Sequence, residues 1–387
     1  MNNRFLQLHL LTSYPPSNLN RDDLGRPKTA SMGGFQRLRV SSQSLKRAWR
    51  TSELFEQALG NHIGTRSRIF GRDILASLKA EGVAEADAIT YTRAIVQVFG
   101  ELDVKDTKLS KGKGKAKGKK ADAETSAEPQ DGAEEATPMT VEGMVAASQL
   151  VHIGPDEQAA IKALVKVMAR ENRAPNDDEL NLLRKTQEAA DIALFGRMLA
   201  AKPYFNVEAA AQVAHAVTVH KAQVEDDFFS AVDDLNDGSQ DKGSAHMGEV
   251  EFGAGLFYLY ICVDRHLLLE NLGGNRELAG RVLKALLECA AKVAPTGKQA
   301  TFASRAYASY ILAELGNQQP RNLSSAFLKP ANGSTTKSVL DASIEALEAT
   351  YEGMDKVYGP CASDRNVLSL PALKGSLDEM GVFVAKA

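Results

Sequence analysis

Cysteine is scarce in this sequence of 387 residues, with three copies at Cys262, Cys289 and Cys361. They are widely spaced, and none belongs to a Cys-x-x-Cys pair, so neither a disulfide framework nor a zinc ribbon is indicated. We therefore expect three inert thiols with no part in metal binding.

Long apolar runs are also missing. The longest, roughly residues 256–263, is far below the ~20 residues that a membrane-spanning helix needs. Residues 1–12 have neither the apolar core nor the small-residue cleavage site of a signal peptide. These absences predict a cytoplasmic protein with no membrane partner.

Neither sign of charge is in large excess, since 46 Lys and Arg face 49 Asp and Glu, for a net charge of -3. Proteins that coat nucleic acid indiscriminately usually carry a large positive excess, so this balance argues against that class but allows local basic patches. A hydrophobic content of 44% and a charged content of 25% are typical of folded globular proteins.

Common catalytic motifs are absent from the sequence. There is no Gly-x-Ser-x-Gly elbow and no His-Glu-x-x-His helix, and the seven histidines show no spacing typical of metal ligands. We predict no metal, no cofactor and no enzyme activity. The alternative is a metal-dependent ribonuclease, in which Asp22 and Asp23 hold a magnesium ion that hydrolyses a phosphodiester, although adjacent acids are also common in loops.

The N-terminal sixty residues show alternating strand and helix signals. Alternation of Leu6, Leu8 and Leu10 predicts a strand over residues 5–12 with one buried face, ended by Pro15-Pro16 and followed by a loop through residue 34. Residues 35–40 predict a second strand, and Ser41-Ser42 cap a helix that opens near Gln43.

Residues 61–200 read as a helical insertion, with helices predicted at 73–80, 84–99, 141–150, 155–170 and 177–193. Within it, residues 105–120 hold eight lysines among glycines, and residues 121–135 hold six acids. Such a polyampholyte cannot bury enough apolar surface to order itself, so 105–138 is predicted to be a disordered surface loop. The lysines either touch a nucleic acid or are neutralised by the acids that follow.

The remaining chain predicts strands at 214–220, 249–263 and 301–312, a helix at 277–293 and a loop-rich stretch at 221–248. Strand, helix, strand, strand, helix, strand is the order of a ferredoxin-like split αβ sandwich. We therefore predict an α+β fold with a helical insertion.

Two places in the sequence could hold a nucleic acid. In the basic run 37–50, a helix start, hydroxyl and amide groups, and Lys46 with Arg50 one turn apart favour phosphate binding, although such a run can also be a solvated face. Phe228 and Phe229 in the predicted loop can stack on bases, and Met198 can act as an apolar wedge. Without further information, two adjacent phenylalanines are more often a core anchor and its neighbour, and a methionine is more often a core residue.

Several blocks together closely resemble the backbone subunit of the type I-E CRISPR Cascade complex. They are Leu19-Asn20-Arg21-Asp22-Asp23, Gly33-Gly34, the run from Ser41 to Ala48, Asp191-Ile192-Ala193-Leu194, Gly196-Arg197-Met198, Ala214-His215-Ala216, Ala231-Val232-Asp233-Asp234-Leu235, Gly243-Ser244-Ala245-His246 and Glu270-Asn271-Leu272-Gly273-Gly274. The blocks follow the family's order over about two thirds of the chain.

The resemblance implies a hand-like subunit with an RRM-like palm (residues 1–60, 201–222 and 250–387), helical fingers (61–200) and a thumb loop (223–249). Copies would polymerise along the spacer of one guide crRNA, beside small, large, 5'-end and 3'-end capping subunits. They would hold the crRNA by its phosphates and leave its bases to pair with a target DNA strand.

The resemblance also implies which residues contact RNA. They are Asn20, Arg21, Lys28, Ser41, Gln43, Ser44, Lys46, Arg47, Arg50, Arg197, Met198, Phe228 and Phe229. Met198 would lie at a periodic kink of the RNA, supported by the two phenylalanines. Phe228 stands where the family has Trp, and Phe195 replaces a smaller residue. Asp22 and Asp23 are expected to order Arg21 or a neighbouring subunit and not to cleave RNA.

Overall fold

The computed structural model describes residues 2–103, 143–186, 188–231 and 246–386. The insertion predicted to be disordered at 105–138 lies outside the described residues. The chain forms two compact units, the first comprising Met1–Gly64, Thr186–Arg197 and Val207–Ala387, and the second Thr65–Lys185 and Met198–Asn206. Each unit is described separately.

The described strands are β1 (Phe5–Ser17), β2 (Thr29–Met32), β3 (Phe35–Val40), β4 (Thr65–Ser67), β5 (Val151–Ile153), β6 (Ala211–Val213), β7 (Ala216–Thr218), β8 (Glu225–Ala231), β9 (His246–Asp264), β10 (Ala308–Gly316) and β11 (Asp364–Ser369). The described α-helices are α1 (Ser42–Arg50), α2 (Glu53–Leu59), α3 (Gly71–Ala80), α4 (Glu85–Phe99), α5 (Pro155–Glu171), α6 (Ala190–Phe195), α7 (Arg265–Asn271), α8 (Arg276–Lys292), α9 (Gln299–Phe302), α10 (Val339–Tyr358) and α11 (Leu377–Val384). The mixture confirms the predicted α+β class.

The first unit contains a large antiparallel sheet with the strand order β11-β10-β1-β9-β7-β3-β2, and β6 and β8 also pair with β9. Strand β1 lies between β10 and β9, and β9 lies between β1 and β7. Because β1 and β7 are both antiparallel to β9, they run parallel to each other. The same argument makes β9 parallel to β10, with β1 between them.

Both faces of the sheet are covered, so the prediction that β1 has one buried face was wrong. Leu6, Leu8 and Leu10 lie in the apolar core that also contains Trp49 of α1 and Leu283 of α8. On the other face, Leu11 shares a second core with residues of β9, β10 and α10. Gln7 and His9, which read as a solvated face in the sequence, are fully buried there.

Buried titratable side chains join β1 to β10 on that second face. His9 Nε2 is 3.3 Å from Glu314 Oε2, and His9 Nδ1 is 2.9 Å from the Tyr258 hydroxyl. Arg321 and Arg365 both donate to the Glu314 carboxylate. Each buried charge therefore has an opposite charge or a hydrogen-bond partner, as burial requires.

Two N-terminal predictions were wrong. Strand β1 passes through Pro15 and Pro16, because both fall where the pairing with β9 shifts register and no N–H donor is needed. The predicted loop over residues 19–34 contains β2, which turns back into β3 through Gly33 and Gly34. Both glycines have positive φ, as a two-residue hairpin loop requires.

The second unit packs α3, α4 and α5 around an apolar core that includes Ile74, Leu78, Ile95 and Leu164, with β4 and β5 paired beside them. Of the predicted helix at 141–150, the described part forms only a 3-10 turn, Gly143–Val145.

The helix predicted at 177–193 forms only at its C-terminal end, where α6 begins at Ala190. Asn176 and Glu179 exchange hydrogen bonds that open one helical turn. The Arg184 N–H then donates to buried Glu157 instead of continuing the helix. Tertiary contact overrides the local propensity here.

For the C-terminal half of the chain, the predicted strands and helix are present, but the bounds of some strands differ from the prediction. The helix at 277–293 is confirmed as α8, and the strand at 249–263 as β9. Of the strand predicted at 214–220, only Ala216–Thr218 is a strand, β7, and the strand predicted at 301–312 begins only at Ala308. Among the described residues, no helix combines the length and apolar character needed to cross a bilayer.

Candidate nucleic-acid interface

The start of α1 is held by two hydrogen bonds. Ser41 is the N-cap, and its hydroxyl accepts from the Ser44 N–H at 3.3 Å. The Asn20 side chain accepts from the Ser41 N–H at 2.9 Å, which ties the segment after β1 to the helix. Since Leu45, Ala48 and Trp49 bury one face of α1, its polar side chains lie on the other faces.

A polar cleft of about 480 Å³ opens beside α1. Four predicted RNA contacts line it, namely Asn20, Arg21, Ser44 and Arg47, together with Asp22 and Asp23. Both arginines are exposed. Gly297 also lines the cleft, and a Cβ atom there would lie 2.6 Å from the Leu19 carbonyl oxygen, so no larger residue fits.

Asp22 has a structural task at the cleft. One of its carboxylate oxygens accepts from the N–H groups of Leu24 and Arg26, both at 2.9 Å, and closes the turn between them. Both bonds go to residues other than Arg21, and an ordering of Arg21 or of a neighbouring subunit by Asp22 and Asp23 stays a prediction. In the part of the chain that the structure describes, no cluster of three His, Cys, Asp or Glu could hold a metal ion.

Lys46 is half-buried against Phe195. Its Nζ lies 5.7 Å from the centre of the phenylalanine ring, a cation–π distance. Burial lowers the pKa of Lys46 below its usual value. The large residue at position 195, where the family was expected to have a smaller one, therefore provides a surface for the Lys46 side chain.

Arg50 faces the interior and not the cleft. Its Nη1 is 3.6 Å from Asp191 Oδ2, and the two side chains are 16% and 0% exposed. The other Asp191 oxygen accepts from the Gly64 N–H at 2.9 Å. Lys46 and Arg50 share one face of α1 as predicted, and this face is turned toward α6, which carries both Asp191 and Phe195.

Arg197 and Met198 belong to different units. Arg197 is 4% exposed, and its N–H donates to the Val207 carbonyl at 2.9 Å. Met198 is 79% exposed and lines a cleft of about 150 Å³ in the second unit, beside Gly100 and Leu150. Of this pair, Met198 alone offers its side chain to a ligand.

Phe228 and Phe229 lie on β8, in a region predicted to be loop-rich. The prediction was wrong because both faces of β8 are exposed, so the strand shows no alternation of apolar and polar residues. The acidic residues Glu225, Asp226 and Asp227 are also rare in strands. Adjacent strand residues point to opposite faces. Phe229 packs over Gly248, where an added Cβ would lie 2.6 Å from its ring.

Met247 is an exposed apolar residue that the sequence analysis missed. It pairs with Ser230, and Phe228 pairs with Glu249, so Phe228 and Met247 lie diagonally on one face of the β8–β9 ribbon. Both are more than 60% exposed. The place of Met247 beside Phe228 depends on the pairing of β8 with β9, and the periodicity of a single strand cannot reveal that pairing.

Lys28 and Gln43 complete the predicted set. The Lys28 N–H donates to the Asn20 carbonyl at 2.8 Å, so Lys28 sits next to the cleft, and Gln43 is exposed on α1. The structure thus brings Asn20, Arg21, Ser44 and Arg47 together, with Lys28 and Ser41 adjacent.

Known proteins resemble this chain over nearly its whole length. The model of the CT1975-like protein family matches residues 6–381. A chain of a solved "CRISPR RNA-guided surveillance complex, pre-nicking" has a TM-score of 0.74 and 29% identity, covering 98% of this chain and 99% of that chain. A chain of another "CRISPR RNA-guided surveillance complex" shares the fold, with a TM-score of 0.67 and 24% identity over 99% of this chain and 100% of that chain.

No curated protein matches the sequence significantly. The resemblance to a subunit of a CRISPR surveillance complex, first drawn from short blocks of sequence, is confirmed by matches that span nearly the whole chain. The protein belongs to the CT1975-like protein family.

Proposed function

We propose that this protein is the repeated backbone subunit of a type I-E Cascade complex in the cytoplasm, and that copies of it polymerise along the spacer of a crRNA. Each copy holds the sugar-phosphate chain without regard to sequence and leaves the bases free to pair with target DNA. The observation that carries the proposal is the polar cleft beside α1, in which Asn20, Arg21, Ser44 and Arg47 converge.

The chemistry of the cleft suits phosphate more than bases. Its guanidinium, amide and hydroxyl groups donate hydrogen bonds, and the N-terminus of α1 adds backbone donors and a favourable dipole. Phosphates are the same in every spacer, whereas base-specific contacts would restrict the guides that the protein accepts.

The topology supports an RRM-like palm. Strands β1, β7, β9 and β10 with the helices between them follow the order β-α-β-β-α-β, and each parallel pair has one antiparallel strand inserted between its members. This is the split arrangement of ferredoxin-like folds. In the same proposal, the second unit supplies the fingers, and the β8–β9 ribbon is the thumb that reaches the next copy with Phe228 and Met247.

A non-catalytic role is part of the proposal. Asp22, half of the suggested magnesium pair, already accepts two backbone hydrogen bonds that close its own turn. The ribonuclease alternative predicts that magnesium causes RNA cleavage and that Asp23→Ala abolishes it. Intact RNA after prolonged incubation with the wild-type protein would remove this alternative.

RNA affinity tests the cleft directly. Replacing both Arg21 and Arg47 by Ala removes two phosphate contacts, which should lower the slope of log affinity against log salt by about 1.4, since each contact with a single strand contributes about 0.7. Arg276→Ala, which removes an exposed charge on α8, is the matched control and should leave the slope unchanged. Equal slopes for the double variant and the wild type would overturn the assignment of the cleft.

Co-purification tests the assembly. The protein expressed with small, large, 5'-end and 3'-end capping subunits and a crRNA source should be recovered with RNA, and sequencing should find spacers flanked by repeat sequence. Recovery of the complex free of RNA would favour a purely structural assembly protein.

A further inference from the structure

Three basic side chains meet beside the cleft, and two of them were not among the predicted contacts. Arg39 on β3 places Nη1 3.1 Å from Nδ1 of His215, which lies between β6 and β7. The Arg39 Nε donates to the Thr29 carbonyl at 3.3 Å, so the guanidinium is fixed at two points. The backbone N–H of Arg39 also donates to the Lys28 carbonyl at 2.8 Å, which holds Lys28 next to it.

The donors of this cluster outnumber its acceptors. Since Arg39 can only donate, Nδ1 of His215 is the acceptor and its proton is on Nε2, facing away from Arg39. Arg39 Nη2, Lys28 Nζ and His215 Nε2 then remain as donors. Within the described ranges, none of the three side chains forms an ion pair with a carboxylate.

We propose that Lys28, Arg39 and His215 form a second phosphate site that holds the RNA backbone as it leaves the cleft at Asn20. The proposal rests on the function proposed above and adds a binding site to it. Asn20 connects the two sites, because its side chain anchors α1 while its carbonyl anchors Lys28. A phosphate there accepts from a planar guanidinium, an ammonium and an imidazole, a set of donors suited to its several oxygens.

The site makes RNA binding depend on pH. Partial burial, and then the positive charges of Arg39 and Lys28, lower the pKa of His215 below its usual value, so the free protein holds it neutral near pH 7. Those two are the charged groups that face it among the described residues. A bound phosphate supplies the missing negative charge, raises the pKa of His215 and favours proton uptake. The added proton goes to Nδ1, so Arg39 gives up its hydrogen bond to His215 and donates to the phosphate instead. Affinity should therefore rise as the pH falls.

Fluorescence anisotropy with a labelled oligouridine at about pH 6 and about pH 8 tests the proposal in the full-length protein. His215→Ala should weaken binding about fivefold at pH 6 and much less at pH 8. His215→Lys, which carries its charge at both values, should keep the affinity and lose the pH dependence. Arg39→Gln should lower the salt slope by about 0.7 at both pH values.

The outcomes separate this site from the cleft. If the Arg21/Arg47 double variant loses affinity while the His215 and Arg39 variants bind RNA as the wild type does, the cleft stands and the second site is wrong. If the wild type itself does not bind RNA, the proposed function fails. Arg276→Ala again controls for the loss of a surface charge, and thermal unfolding of each variant checks that the exposed His215 can be replaced without loss of folding.

Discussion

At the scale of single residues, neighbouring arginines on α1 have different tasks. Arg47 is exposed at the cleft, whereas Arg50 is paired with Asp191, whose side chain is fully buried. A charge removed from beside a buried carboxylate leaves that carboxylate poorly compensated. The sequence position of a basic residue on a helix therefore does not tell whether its side chain is available to a ligand.

We expect Arg50→Ala to lower the free energy of unfolding by about 1–3 kcal/mol, because Asp191 loses its cationic partner. Arg47→Ala should change stability by less than about 0.5 kcal/mol and should weaken RNA binding instead. Urea unfolding measures the first quantity and anisotropy the second. A reversal of the two effects would show that Arg50, and not Arg47, is the phosphate ligand.

At the scale of elements, the N-terminus of α1 is capped by Ser41 and, in the proposed function, also faces a phosphate. Ser41→Ala removes the hydroxyl that accepts from Ser44 and should cost about 1 kcal/mol of stability. Ser41→Asp caps a helix as well as Ser does, but adds a negative charge next to the proposed phosphate site.

The Asp variant should therefore unfold like the wild type in urea and bind RNA at least tenfold more weakly. The Ala variant should show the opposite balance, a loss of stability with a smaller loss of affinity. RNA binding by Ser41→Asp equal to that of the wild type would mean that no phosphate approaches this helix end.

The β8–β9 ribbon depends on a glycine for the position of one aromatic ring. Gly248→Ala pushes the Phe229 ring away, since the new methyl group would lie 2.6 Å from it. Hydrogen exchange of the β8 amides should then become about three- to fivefold faster, because the ring no longer shields the strand. Phe228→Ala, on the opposite face, is the control and should leave exchange as it is. Unchanged exchange in Gly248→Ala would show that the ring does not protect β8.

The sequence predicted those elements whose periodicity reflects their own burial. Strand β3, the Ser41 cap and the amphipathic helix α8 are of this kind. It failed where a partner decides the structure, as in β8, which is stabilised by pairing with β9, and at Arg184, whose N–H is taken by Glu157.

The residues of the candidate site fall into the same two groups, those that local sequence could place and those that a distant partner places. Residues close in sequence, such as Ser41 and Ser44, could be placed from the cap signal. His215 could not be associated with Arg39 because 176 positions separate them, and strand pairing alone brings them together. The burial of Arg197 was equally invisible, since its neighbour Met198 is exposed.

At the scale of the whole molecule, the buried charges on the second face of the sheet should make stability fall in acid. Burial lowers the pKa of His9, so the folded protein keeps it neutral while the unfolded chain takes up a proton below about pH 6.5. Burial opposes ionisation of Glu314, but hydrogen bonds from His9 and Arg321 outweigh it and hold its pKa below the usual value. Its contribution is lost at still lower pH.

The free energy of unfolding should therefore fall by about 1 kcal/mol per unit of pH between pH 6.5 and pH 5.5 because of His9. His9→Gln, which keeps a hydrogen-bonding side chain, should flatten this part of the profile even if the variant is less stable throughout. Urea unfolding at several pH values measures both. A wild-type profile that is flat in this interval would contradict the neutral His9.

Covering the sheet on both sides has a consequence for how the protein can read a nucleic acid. Many small RNA-binding domains splay bases across an open sheet and distinguish them by aromatic stacking. Here Leu6, Leu8 and Leu10 are under helices, and Tyr258 and Tyr310 are under the α10 layer, so that platform is closed. A nucleic-acid strand would therefore contact the edges of the sheet and the ends of the helices, which suits the proposed binding without regard to sequence.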